Sequence, residues 1–177
     1  MALGKLILRG VVGSVFIAHG LQKLTGEFGG AGLDGTEKMM QATRMYPVRR
    51  NALAVALGET FAGVSFLLGL ATPLGTFAAV STMATAVQKA HLKNGFFNGN
   101  RGYEFNLTLA AGAAAIAIDG PGPVSVDALV GKSRWGAFCG LLAVGAGLLA
   151  SSFAIEFGED NAPAPEPEAA SASQGVA

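Results

Sequence analysis

The chain has 177 residues, of which 51% are hydrophobic and 14% charged, with a mean hydropathy of +0.46. Soluble domains carry about 25% charged residues, so this composition belongs to a membrane protein. Twelve basic and 12 acidic residues cancel, which leaves no basic excess for a nucleic-acid partner. The single cysteine, Cys139, excludes an internal disulfide, a CxxC redox pair and a thiolate zinc site. Any redox chemistry therefore needs a bound cofactor or a partner.

The first apolar stretch, Leu6 to Leu24, is long enough to cross a hydrocarbon core, which takes roughly 20 helical residues. Lys5 and Arg9 before an apolar run resemble a signal peptide. No small-x-small cleavage site follows Ile17, so retention as helix one is expected. From Thr25 to Arg50 the chain is polar and glycine-rich, with an interfacial amphipathic piece from Thr36 to Met45. Helix two is expected from Asn51 to Leu70, with Gly58 and Ala62 at the spacing of a close-packing motif. At Ala71-Thr72-Pro73 the chain turns. Thr72 is a candidate cap, and Pro73 suits the first turn of the next helix.

Helix three is expected from Pro73 to Leu92, with Gln88 as interhelical glue, followed by an Asn/Gly-rich loop, 93 to 102. Helix four, Tyr103 to Ile118, is short for a span. Gly120-Pro121-Gly122-Pro123 then breaks the chain, and a short piece runs from Ser125 to Val130. Helix five is expected from Trp135 to Phe157, with Trp135 as an interfacial anchor. The expected fold is all-α: a transmembrane four-helix bundle over residues 1–130, an additional transmembrane helix over 131–157, and a disordered Pro/Ala/Glu-rich tail over 158–177. With five spans the basic residues concentrate on the side holding Lys23, Arg49, Arg50, Lys89 and Lys93. The positive-inside rule would place that side in the cytoplasm.

An ionisable group inside a span costs about 2.5 to 3.5 kcal/mol at the helix centre on insertion scales, so each needs a partner or a function. Here these are Arg9, His19, Lys23, Glu59 and His91. His19 and Lys23 share a helical face in the last turns of helix one, and Glu59 lies about two turns into helix two. His91, Asn94 and Glu104 fall near the same membrane face. A Glu/Lys/His cluster of this kind can move protons, hold an anion or orient a quinone carbonyl. Plainer roles stand beside these: Arg9 snorkelling to headgroups, the histidines bonding neighbouring helices, Lys23 and Glu104 as interfacial charges. Glu59, an acid well inside a span, is the hardest to read as accidental. His19 and His91 as haem ligands find no other support in the sequence.

Five short motifs together resemble the DoxX family of small bacterial membrane proteins. They are His19-Gly20-Leu21-Gln22-Lys23-Leu24; Glu59 followed by Leu67-Leu68-Gly69-Leu70-Ala71-Thr72-Pro73; Asn94-Gly95-Phe96-Phe97; Gly102-Tyr103-Glu104; and Gly120-Pro121-Gly122 with Ser125 and Asp127. One departure is Ala62-Gly63, where the family usually has two glycines. The resemblance implies a four-helix membrane domain linked to redox chemistry, since some relatives are subunits of a thiosulfate:quinone oxidoreductase. It also implies an N-terminus in the cytoplasm, against the charge count, and that orientation is preferred here.

The expected function is that of a redox-associated subunit in a bacterial plasma (inner) membrane. Glu59, His19 and Lys23 are the candidate catalytic residues; His91, Asn94, Glu104 and Arg9 are the candidate substrate-binding residues; no metal is expected. A quinone is the candidate cofactor and a partner subunit of a membrane redox complex the candidate partner, besides the bilayer. The alternatives are a non-enzymatic scaffold or accessory subunit and a small-molecule transporter. The chain's lack of inverted repeats disfavours the transporter.

Overall fold

The computed structural model describes residues 2–164, and among these every regular element is helical. The main helices are α1 (Ala2–Leu24), α2 (Gly32–Ala42), α3 (Val48–Leu68), α4 (Thr72–Ala86), α5 (Glu104–Asp119), the single turn α6 (Val126–Leu129) and α7 (Ala137–Asp160). Three of them, α1, α3 and α7, are long and apolar enough to cross a membrane. At 16 residues α5 reaches only about 24 Å, as its short apolar run implies.

Helix α1 packs closely along α3 because glycines face each other at the crossing. A Cβ on Gly63 would stand 2.6 Å from the carbonyl oxygen of Gly13, so neither backbone can carry a side chain there. Around this pair, α4 and α5 complete a core containing Phe16, Phe66, Met83, Leu109 and Ile116. Thr76 Oγ1 donates to the Ala113 carbonyl at 2.9 Å, tying α4 to α5. On the outer side, α7 packs against α4 and α5, and Thr85 Oγ shares a 2.9 Å hydrogen bond with Ser151. Large apolar side chains such as Val11, Leu57, Leu74, Leu149 and Phe153 point outward. Water would penalise that surface and hydrocarbon does not, so the helices sit in a lipid bilayer.

Several boundaries differ from expectation, each for a local reason. Helix α3 starts at Val48, directly after Pro47, rather than at Asn51. It stops on Gly69, whose φ of 62° lets the last turn close with Gly69 and Leu70 amides bonded back to Phe66 and Ser65. Thr72 is not the cap of α4. The Asp127 carboxylate, far along the chain, accepts from the Ala71 amide (2.7 Å), the Thr72 amide (3.1 Å) and the Thr72 hydroxyl (2.8 Å). Trp135 is half-buried and donates its indole N–H to the same carboxylate at 2.7 Å, so it is fastened to the protein rather than simply standing at the interface. Helix three does not run as one α-helix to Leu92: after Ala86 it passes into a π turn, Val87–His91, and a 3-10 turn, Leu92–Asn94. Residues 158–160, expected in the tail, belong to α7, and 165–177 lie outside the described residues.

Candidate functional site

A cavity of about 440 Å³ opens where the C-terminal end of α1 meets the first half of α3. Its polar wall holds His19, Lys23, Glu59 and His91. Lys23 Nζ donates to Glu59 Oε2 at 2.6 Å; the Glu59 side chain is 3% exposed and that of Lys23 21%. Because α3 begins three residues early, Glu59 lies about three turns in, roughly 16 Å along the axis from Val48 and near mid-helix. A bare carboxylate at such depth would be costly, and the lysine reaching across from α1 makes the charge tolerable. The His19 ring packs on Phe105 of α5, centroids 5.7 Å apart.

The remaining wall mixes methionine and other apolar side chains with small polar ones such as Thr43, Ser81 and Asn106. Met39, Met40, Met45 and Met83 all line the cavity, four of the five in the chain, with Phe16, Phe105 and Leu109. Flexible thioethers adapt to irregular apolar occupants. Lys89 reaches the cavity from the π turn and pairs with Glu159 of α7 at 2.7 Å. Both cavity lysines thus carry a carboxylate partner. Among the described residues no group of three His, Cys, Asp or Glu could hold a metal ion.

Asn94 and Glu104 do not line the cavity. Asn94 Nδ2 donates to the Ala90 and Arg101 carbonyls, holding the loop behind the mouth, and half-buried Glu104 begins α5. Arg9 is a correction. It sits 14 residues before Lys23 on α1, about 21 Å away, at the opposite membrane face. Nor does it snorkel: it is 3% exposed, and its guanidinium donates to the carbonyls of Phe66, Leu67, Pro121 and Val124 at 2.7 to 2.9 Å. This is a structural clamp joining α1 to the end of α3 and to the turn after α5. Asp127 belongs to the same end. Burial alone would raise its carboxyl, but hydrogen bonds from Trp135, Thr72 and the Ala71 amide together hold it below the usual carboxylate range.

The sequence did not single out the methionines, Lys89 or Asn51 as site residues. Asn51 also stands at the cavity, and its Nδ2 is buried without a hydrogen-bond partner among the described residues. The signal available for the methionines was their clustering at 39, 40 and 45, which reads equally as the apolar side of an interfacial helix.

A helical bundle with lipid-facing apolar surfaces defines a multi-pass membrane protein. The DoxX family profile matches residues 4–92, half of the chain, from α1 through the π turn. The chain belongs to the DoxX family. The match contains His19, Lys23, Glu59 and His91 and stops before Asn94 and Glu104. No curated protein and no solved structure matches the chain.

Proposed function

We propose that the chain is the membrane subunit of a quinone-linked redox complex in a bacterial plasma membrane. Its cavity takes the headgroup and first tail units of a quinone. One observation carries this: a buried Lys23–Glu59 pair stands on the wall of a methionine-lined cavity that opens near one membrane face. The residues present fit such an occupant, with apolar wall for the tail and donors for a carbonyl. When bound, a quinone would serve as a two-electron, two-proton acceptor. The electrons come from a sulfur-compound donor, thiosulfate or a thiol, by way of a partner subunit. The chain's own residues supply position and electrostatic support: Lys23 Nζ donates a hydrogen bond toward a carbonyl oxygen, and Glu59 holds the charge of Lys23 while headgroup charge develops.

In this arrangement α4 with its π turn and α5 serve as two further spans, making four in the family domain, and α7 is the fifth. With the N-terminus in the cytoplasm, the cavity opens on the outer face. The test is quinone reduction by the purified complex with thiosulfate or thiol donors, comparing wild type with Glu59→Gln. Loss of at least about a hundredfold in rate supports the function. The Lys23–Glu59 pair also clamps α1 to α3, which favours a second role as non-enzymatic accessory subunit. Unchanged turnover in a less stable Glu59→Gln protein would select that one.

A further inference from the structure

The chain contains two histidines, and both stand on the cavity wall. His91 ends the π turn that follows α4, where the chain leaves the helix for the 92–103 loop. The His91 Nδ1 lies 2.8 Å from the Arg101 carbonyl oxygen. A carbonyl can only accept, so Nδ1 carries a proton, and Nε2 holds a lone pair whenever the ring is neutral. The same oxygen accepts from Asn94 Nδ2 at 3.1 Å. Arg101 presents it from a φ of 61°, a left-handed conformation that costs energy for a residue with a side chain. The loop bearing it is stiffened by amide bonds from Gly102 to Phe97 and from Glu104 to Phe96, at 3.0 and 2.9 Å. Among the described residues, Nε2 makes no hydrogen bond.

We propose that His91 is the group that exchanges a proton with the molecule bound in this cavity, through Nε2, in a tautomer fixed by the Arg101 carbonyl. In the forward step the Nε2–H bond breaks and its proton passes to an oxygen of the bound headgroup. The ring then regains a proton from water at the membrane face. The Nδ1–H bond to Arg101 persists throughout, and the ring is neither oxidised nor reduced. Charged and titratable groups sharing the wall are His19 and Lys23 of α1, Glu59 of α3 and Lys89 of the same turn. Lys23 and Lys89 are already paired with carboxylates, which leaves the histidines as the groups able to change charge without stranding a partner. That the bound molecule is a quinone rests on the function proposed above; the tautomer does not.

With only two histidines, nitrogen-15 histidine labelling of the full chain in lipid nanodiscs gives a spectrum that His91→Gln assigns directly. The expected result is a neutral His91 ring protonated at Nδ1, whose Nε2 signal moves to the protonated position on acidification and shifts when a short-chain benzoquinone is added. An Nε2-protonated tautomer, or an Nε2 signal indifferent to pH, overturns the assignment of His91. The expected tautomer and titration without a shift on adding benzoquinone overturn the quinone as occupant instead. In the complex, His91→Gln should lower quinone reduction about a hundredfold and imidazole should restore part of it. A full rate, or a loss that imidazole leaves unchanged, makes His91 a loop staple and overturns the proposal.

Discussion

Replacing Lys23 by methionine keeps an unbranched side chain one atom shorter and removes the charge that Glu59 faces. The carboxylate left behind is 3% exposed near the middle of α3. Removing one partner of a buried ion pair costs about 3 to 5 kcal/mol. Lys23 retains 21% exposure, so partial solvation puts the expected loss at the lower end, about 3 kcal/mol. Glu59→Gln is milder, about 1.5 kcal/mol, because the freed lysine can extend toward the membrane face. The double variant Lys23→Met/Glu59→Gln leaves no stranded charge and should cost about 2 kcal/mol, less than the sum of the two, a coupling of about 2.5 kcal/mol. Equilibrium unfolding in mixed micelles, read by circular dichroism, measures all four corners of the cycle. Additivity within about 0.5 kcal/mol would refute the picture of a buried pair whose members depend on each other.

Two further outcomes test other parts of the fold. Asp127 has a folded carboxyl held below its ordinary value, so its contribution to stability is complete above the unfolded value of about 3.9 and is lost as pH falls through the lower folded value. The only tryptophan, Trp135, bonds that carboxylate and reports on it. Its emission should change with a midpoint below about 3.9, and a midpoint at or above that value would contradict the hydrogen-bonded cap. Gly63→Val should cost at least about 2 kcal/mol, because a Cβ there meets the α1 backbone, whereas Gly58→Ala should stay within about 0.5 kcal/mol, its nearest neighbour being a flexible Thr82 methyl at 3.4 Å. Equal losses in the two would mean that the α1–α3 crossing is not where the backbones are closest.

The sequence was most informative where a residue conflicted with its surroundings. Glu59, Lys23 and His19 interrupt apolar runs, and helix counting puts them at one depth; the cavity gathers all three. His91 joined them by the same reasoning. Arg9 obeyed the same rule and yet stands elsewhere, because its partners are backbone carbonyls 57 to 115 positions away, which no local pattern encodes. Thr72 and Trp135 offered the familiar local roles of cap and interfacial anchor, and a distant aspartate took over the first and enlisted the second. The π turn was invisible because no glycine or proline stands between Ala86 and His91 to mark it. Lys89 looked like one more charge for setting orientation until that turn carried it onto the cavity.

The Arg9 clamp fastens one end of the bundle. At its face, one guanidinium and one carboxylate tie together α1, the α3–α4 turn and the segment leading to α7, with eight hydrogen bonds in all. At the other face α1 and α3 still pack backbone to backbone, Gly20 standing against Ala56 and Thr60, and the cavity lies beside that crossing. The two ends of the bundle are therefore held by different means, one by polar side chains bonded to buried backbone and the other by close packing beside a cavity.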